Sequence, residues 1–298
     1  MRWPNEFGGR IMAVHVGDLV ERQSYNRDIL FRITEIKGEI AILFGEEVRL
    51  VADAPLEDLI SIDQREYKKR EKREKETMER TYRLFQQDYV LMKQRHEHNS
   101  TGGYTSEVNY FQMPGRVLHI DGDPLYLRKC LDLYTKIGVP VQGVHCKETE
   151  MHEKVVDLID HFRPDILVIT GHDAYTKSKG VMGDLAAYRH SRHFVQAVRE
   201  VRKKYPSLDQ LVIFAGACQS HFEALIRAGA NFASSPSRIN IHALDPVYVV
   251  GKISFTSFME RVNVWDVVRN TITGQKGLGG IETRGLLRTG LPFQYYEE

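Results

Sequence analysis

Two short apolar runs each end in a residue able to do covalent chemistry. Residues 165–170 lead into Thr170-Gly171-His172-Asp173, and residues 211–215 lead into Gly216-Ala217-Cys218-Gln219-Ser220. An imidazole within hydrogen-bond reach of a thiol can take its proton, and a thiolate attacks carbonyl carbon far faster than a thiol does. His172 and Cys218 are therefore the candidate catalytic pair, suited to acyl transfer through a thioester. The backbone N–H groups of Cys218 and of the Gly171 region are the candidate donors to the oxyanion. One such donor commonly stabilises the transition state by about 3 kcal/mol.

The elements around these residues must place them together. Each run holds mainly Ile, Leu, Val and Phe and is bounded by Pro164 or glycine, the pattern of a strand buried on both faces of a parallel sheet. Between them, residues 185–204 carry Val195, Val198 and Val201 on a basic, polar background and read as a crossover helix. A right-handed crossover puts both carboxyl ends on one sheet edge, where ligands bind in open α/β sheets. The turn Gly216-Ala217-Cys218 followed by a helix from Ser220 would set the sulfur at a helix N-terminus, where the dipole favours thiolate.

The alternation continues on both sides. Residues 116–120 read as a strand, Asp121-Gly122-Asp123-Pro124 as a turn into a helix over 124–137, then a strand over 139–145 and a helix over 148–162. After Cys218 come a helix over 220–228, a short extended piece over 231–234, a strand over 245–255 and a helix over 264–272. The remaining glycine-rich stretch reads as loop. This predicts an α/β domain with a mostly parallel, doubly wound sheet and flanking helices over residues 113–298.

The first part of the chain is different. Residues 1–62 alternate apolar runs with turn signals such as Gly17-Asp18, Lys37-Gly38 and Gly45-Glu46, and predict a small all-β, barrel-like domain, with Val48–Asp53 as one of its strands. Residues 63–112 form a charged helical connector. From Arg65 to Glu97 there are 11 Lys or Arg against 7 Asp or Glu, without Gly or Pro. Mixed sign argues against nucleic acid, and Met78, Tyr82, Phe85, Tyr89 and Met92 at helical spacing predict that its second half packs on something. The polar, glycine-ended stretch 96–103 reads as a boundary.

A formal net charge of +1 on 298 residues gives no global case for nucleic acid or a membrane surface. Cys130, Cys146 and Cys218 are an odd number without a C-x-x-C pair, which predicts reduced thiols and neither a metal site nor a cofactor. Met1–Glu6 lacks the apolar core of a signal peptide, so a cytoplasmic protein is expected.

The order His then Cys, 46 positions apart, resembles the caspase-like cysteine peptidases, whose signature Q-A-C-[RQG]-G follows its histidine by roughly 50 residues. Gly216–Ser220 keeps the Ala-Cys-Gln core of that signature. Gly17–Arg22, Leu50–Pro55, the basic middle segment, Gly171-His172-Asp173 and Gly216–Ser220 together resemble, over nearly the whole chain, a sporulation-specific protease family of endospore-forming bacteria. The resemblance implies a caspase-like fold, cysteine endopeptidase activity after arginine, and protein substrates among spore coat and cortex-associated proteins. It also implies action in the mother cell with spore-coat association. Asp173 stands where a glycine commonly follows the catalytic histidine in caspase-like enzymes. An arginine-reading site needs a carboxylate, and Asp123, Asp121 and Asp173 are its candidates, with Asp123 put first. An arginine-preferring peptidase is expected to cut itself in the exposed, weakly packed connector, at Arg65, Arg70, Arg73, Arg80, Arg83 or Arg95, because cleavage needs local unfolding and this segment has little burial to lose. The rivals are a class I amidotransferase-like amidase, for which only His221 and His242 follow Cys218, and a receiver-like or structural coat protein without catalysis.

Overall fold

The computed structural model describes residues 14–101 and 111–290, the side chains of 95–101 excepted. The chain forms two compact units, and each has its own organisation.

The first unit holds β1 (Leu19–Arg22), β2 (Phe31–Lys37), β3 (Ile40–Gly45), β4 (Val51–Pro55) and β5 (Leu59–Ser61) in one antiparallel sheet of order β4-β3-β2-β1-β5. Alternate residues Phe31 and Ile33, and Ala41 and Leu43, are buried, as a half-buried strand with period two requires. Glu21 is fully buried, held by Arg27 at 2.6 Å and Arg70 at 2.5 Å. The strand expected over Val48–Asp53 is divided: β4 begins at Val51, and Val48–Leu50 belong to the second unit. The apolar, arginine, apolar pattern of Val48-Arg49-Leu50 imitates a continued strand, and no local signal marks where the chain departs.

Helix α1 (Gln64–Thr101) begins in the first unit and passes at residues 73–74 into the second. Its backbone is helical through most of the boundary expected at 96–103, whose side chains, with residues 102 and 103, lie outside the described residues. Phe85 is buried in the core of the second unit, with Met78, Tyr82, Tyr89 and Met92 packed beside it, as their spacing predicted.

The second unit continues through β6 (Phe111–Met113), β7 (Val117–Asp121), α2 (Pro124–Ile137), β8 (Val141–His145), α3 (Met151–Phe162), β9 (Ile166–Thr170), α4 (Ser191–Lys204) and β10 (Val212–Ala215). It ends with α5 (Phe222–Ala228), β11 (Phe232–Ser234), α6 (Asp245–Phe255), β12 (Arg261–Val262), α7 (Val264–Val268), β13 (Leu278–Gly280), β14 (Thr283–Arg284) and β15 (Arg288–Gly290). The main sheet has the order β13-β11-β10-β9-β7-β8, parallel except for β13. β6 pairs with β15, and β12 with β14, in two small antiparallel ribbons.

Both faces of the sheet are covered. Ile166 and Val168 of β9 and Val212 and Phe214 of β10 join one core with α6 and the second half of α1. Leu167, Ile169, Ile213 and Ala215 alternate to the opposite core, which holds residues of α3 and α4. The observed architecture is the α/β fold with a mostly parallel sheet and flanking helices that the strand pattern predicted.

The segment Asp245–Phe255 corrects the reading as a strand. It is helix α6, and all of its residues are buried. A helix enclosed on every side has no polar stripe to display a period of 3.6, so its apolar run imitates a strand. Pro246 in its first turn is the signal that identifies it.

Candidate active site

Because β7, β8, β9 and β10 are parallel, their carboxyl ends share one edge. In the order β8-β7-β9-β10, the connections reverse direction between β7 and β9, the switch point at which open α/β sheets form ligand crevices. Asp121 ends β7 there, and His172 follows β9. β9 and β10 are in register with Ile169 opposite Ala215. His172 lies two residues past the end of β9 and Cys218 three residues past the end of β10, both on this edge.

His172 is almost fully buried. Its Nε2 lies 3.3 Å from Asp123 Oδ2 and its Nδ1 3.8 Å from Glu148 Oε1, while its backbone N–H donates to Glu148 Oε1 at 2.8 Å. The Tyr126 ring stands 5.3 Å from the imidazole. The Glu148 carboxylate lies directly over Gly122 and Gly171, whose places any Cβ would contest. Burial acts to raise the Glu148 carboxyl, but its contacts with His172, among them the donated backbone N–H, outweigh it and hold the group below its ordinary value.

Cys218 is also fully buried. Its Sγ accepts from Ile241 N at 3.2 Å and lies 3.5 Å from Ile241 O. No hydrogen bond joins it to His172 among the described residues. The expected placement at a helix N-terminus needs correction, because α5 starts at Phe222, four residues later, and Cys218 sits in the turn before it. That turn needs Gly216 at φ +109° and places Gln219 at φ +55°. Without help from a helix terminus, burial pushes the Cys218 thiol well above its ordinary range.

Asp173, the candidate beside the histidine, uses its side chain to brace the loops. Oδ1 accepts from His190 N at 2.7 Å and Ala174 N at 2.9 Å; Oδ2 accepts from Ser191 Oγ at 2.5 Å and Ser220 Oγ at 2.9 Å. Ser220 Oγ in turn accepts from Ala217 N at 2.9 Å, so the loop after His172 is tied to the turn carrying Cys218. Burial pushes the Asp173 carboxyl up to about 6 against these four donated hydrogen bonds.

The site is filled by the chain's own Arg49. Its carbonyl oxygen accepts from Cys218 N at 3.2 Å and Asp173 N at 3.3 Å. Its fully buried guanidinium meets Asp121 Oδ2 at 2.7 Å through Nη1 and Ala243 O at 3.2 and 3.0 Å through Nε and Nη2, with Cys130 Sγ 3.3 Å from Nη2. The Tyr126 ring centroid is 5.1 Å from the guanidinium carbon. Asp121 further accepts from Thr170 Oγ1 at 2.9 Å and from Asp123 N at 2.9 Å. Burial acts to raise the Asp121 carboxyl, and the Arg49 charge beside it more than reverses that, holding it far below the usual range. Asp123 caps α2, accepting from Leu125 N at 2.6 Å and Tyr126 N at 3.2 Å. Thus Asp121 meets a guanidinium, Asp123 meets the imidazole, and Asp173 braces the two loops.

Ligand atoms of His119, Asp121 and Cys130 lie within 4.8 Å of one another, close enough to hold a metal ion in principle. The Arg49 guanidinium already provides a cation at Asp121 and Cys130. Burial also pushes the Cys130 thiol up to about 12, away from the thiolate that a metal would need.

The family model described as YabG peptidase U57 matches residues 15–292, a span that includes the β sheet of the first unit and every residue of this cluster. The chain belongs to the YabG peptidase family. It is 59% identical over 288 residues to the sporulation-specific protease YabG of Bacillus subtilis (strain 168), covering 95% of this chain and 99% of that one. No solved structure matches. A chain of the YabG family is a peptidase, and its substrates are proteins. Among the described residues, no helix is long and apolar enough to cross a membrane.

Several members of this cluster were not legible as site residues. Glu148, Tyr126 and Ser220 are ordinary in type and carry no spacing signal. Glu148 follows β8, however, and every residue following a parallel strand on that edge merits consideration. Of the two histidines after Cys218, His221 caps α5 and has Nε2 3.2 Å from Gly183 O, and His242 lies 3.7 Å from Glu74. An amidotransferase arrangement gains no support from either.

Proposed function

We propose that the chain is a cysteine endopeptidase that cleaves after arginine, with Cys218 as nucleophile and His172 as acid and base. The observation that carries this reading is the convergence of the Cys218 and Asp173 N–H groups, at 3.2 and 3.3 Å, on one carbonyl oxygen belonging to an arginine. Two backbone donors aimed at one carbonyl form the arrangement that stabilises an acyl-transfer oxyanion. The second donor is then Asp173 N–H, two residues beyond Gly171. A side chain does not alter the N–H of its own residue, so aspartate can serve where caspase-like enzymes commonly carry glycine.

In this reading Asp121 reads the substrate guanidinium, with Ala243 O as a second acceptor and Tyr126 along its face. Cys218 attacks the scissile carbonyl carbon. His172 takes the thiol proton and delivers it to the departing amine, and water then hydrolyses the thioester with His172 as base. Asp123 and Glu148 orient the imidazole, and the Asp173–Ser220 contact keeps both loops in place. Substrates among spore coat and cortex-associated proteins, action in the mother cell and association with the coat complete the proposal; the relative's name supports its sporulation setting.

The test uses a fluorogenic peptide ending in arginine. The protein should hydrolyse it, and Cys218→Ala and His172→Ala should each lower the rate to background while preserving the circular dichroism spectrum. Hydrolysis by pure Cys218→Ala protein at the unaltered protein's rate would overturn the assignment.

A further inference from the structure

We infer that the Arg49–Leu50 peptide bond is the protein's own first substrate: intact, it occupies and closes the site, and the chain cuts it in cis. This deepens the peptidase reading and rests on it.

Residues Val48–Leu50 lie in the second unit as a peptide substrate would. Val48 pairs antiparallel with His242 and Leu50 parallel with Asp173, so the segment is held by backbone on both sides. Such strand addition is a common way to bind an extended peptide. Arg49 N donates to Ile241 O at 3.3 Å, and Tyr126 Oη donates to Val48 O at 2.8 Å. Leu50 N donates to Val48 O at 2.7 Å, a tight three-residue turn centred on Arg49.

A purely structural latch explains less. To anchor a segment, a buried apolar side chain serves as well as a buried ion pair, whose desolvation cost can exceed its Coulombic gain. A latch also has no reason to put its carbonyl on the amide of the candidate nucleophile. Here both features occur in one residue, and it is an arginine. The connector arginines are placed differently. They lie in helix α1, whose backbone N–H and C=O groups pair along the helix and not with the sheet edge, and Arg70 is engaged by the buried Glu21.

The step balances as ordinary hydrolysis. The Cys218 sulfur leaves Ile241 and forms a bond to the Arg49 carbonyl carbon, whose oxygen takes the negative charge beneath the two N–H groups. The bond from that carbon to Leu50 nitrogen breaks, and the thiol proton reaches this nitrogen through His172. Water attacks the thioester, regenerates the thiol and leaves Arg49 with a carboxylate. Until then Cys218 is covered and its thiol is neutral, as befits a closed precursor. A tethered segment competes at an effective concentration of about millimolar, so a free peptide at micromolar concentration is largely excluded until the cut.

The experiment follows freshly purified protein by intact mass and by arginyl-peptide hydrolysis. The unaltered protein should yield a fragment ending at Arg49 and another beginning at Leu50, with a half-time unchanged on dilution. Peptide hydrolysis should rise in step with the cut. Cys218→Ala should remain uncut. Arg49→Ala should stay uncut at this bond yet hydrolyse the peptide without a lag; Arg49→Gln, which keeps donors for Asp121, serves if the alanine variant does not fold. Cleavage that slows on dilution, equal cutting of Cys218→Ala, or first cuts between residues 65 and 95 would overturn the inference. So would full peptide hydrolysis by the unaltered protein while its Arg49–Leu50 bond is still intact, which leaves the peptidase reading standing. Absence of peptide hydrolysis from both the unaltered and the Arg49 variant proteins, with the chain uncut, would sink that reading and this inference together.

Discussion

Arg49 Nη1 and Asp121 Oδ2 lie 2.7 Å apart, and neither side chain reaches solvent. Removing one member of such a pair strands the other. Asp121→Asn should destabilise the fold by about 3 to 5 kcal/mol, since an uncompensated buried charge carries a penalty of that size. Urea denaturation of Cys218→Ala and of its Asp121→Asn double variant measures it without interference from cleavage. A change below 1 kcal/mol would mean that the pair is solvated in solution.

As the proposed acceptor of the substrate guanidinium, the same carboxylate sets specificity. On protein already cut at residue 49, Asp121→Asn should reduce kcat/KM for arginyl peptides by about 2 to 5 kcal/mol of transition-state binding. Asp123→Asn should instead lower kcat with little change in KM, because Asp123 meets His172 and not the guanidinium. If Asp123→Asn alone abolishes the preference for arginine, the two roles are reversed.

The thiols should separate by position. Cys146 lies outside this cluster, 3.7 Å from Lys147 O, and Cys146→Ala should keep its activity. Cys130 lines the arginine pocket, so Cys130→Ala should weaken arginyl-peptide binding with little change in kcat. A loss of kcat in Cys146→Ala equal to that in Cys218→Ala would move the nucleophile.

How much of this was readable in the sequence depended on range. The strands at Ile166–Thr170 and Val212–Ala215 were legible because burial on both faces leaves an uninterrupted apolar run bounded by Pro or Gly. Their parallel pairing followed from the helix between them. The sheet edge therefore predicted that His172 and Cys218 would end level, and it put Asp121 and Asp123 on that edge. It could not choose between these two, because which carboxylate turns toward a pocket depends on side-chain direction at one turn. Arg49 was invisible as a site residue. Its partners Asp121, Ala243, Cys218 and Asp173 are 72 to 194 positions away, and nothing local distinguishes it from a strand arginine. Helix α6 was misread for the related reason that complete burial erases periodicity.

Asp173 gives a pH dependence with a definite sign. Its folded-state value, raised to about 6 from 3.8, means the folded protein binds this proton more tightly than the unfolded chain. The contribution is fully present below about pH 4 and is lost as pH rises through 6; 2.2 pH units correspond to about 3 kcal/mol at most. The stability difference between Cys218→Ala protein and its Asp173→Asn double variant should therefore change over this window and be flat above pH 7. A difference independent of pH from 4 to 7 would mean that the four donors hold Asp173 at an ordinary value.

The most direct test of the central claim is covalent capture of the nucleophile. An arginyl chloromethyl ketone, which alkylates a thiol placed beside a bound arginine, should add one label to protein cut at residue 49. Peptide mapping should locate that label on Cys218, with none on Cys130 or Cys146 and none on Asp121→Asn at the same reagent concentration. Complete loss of arginyl-peptide hydrolysis should accompany stoichiometric labelling. Full activity after Cys218 is labelled, or inactivation with the label on another residue, would contradict the assignment of Cys218 as the nucleophile.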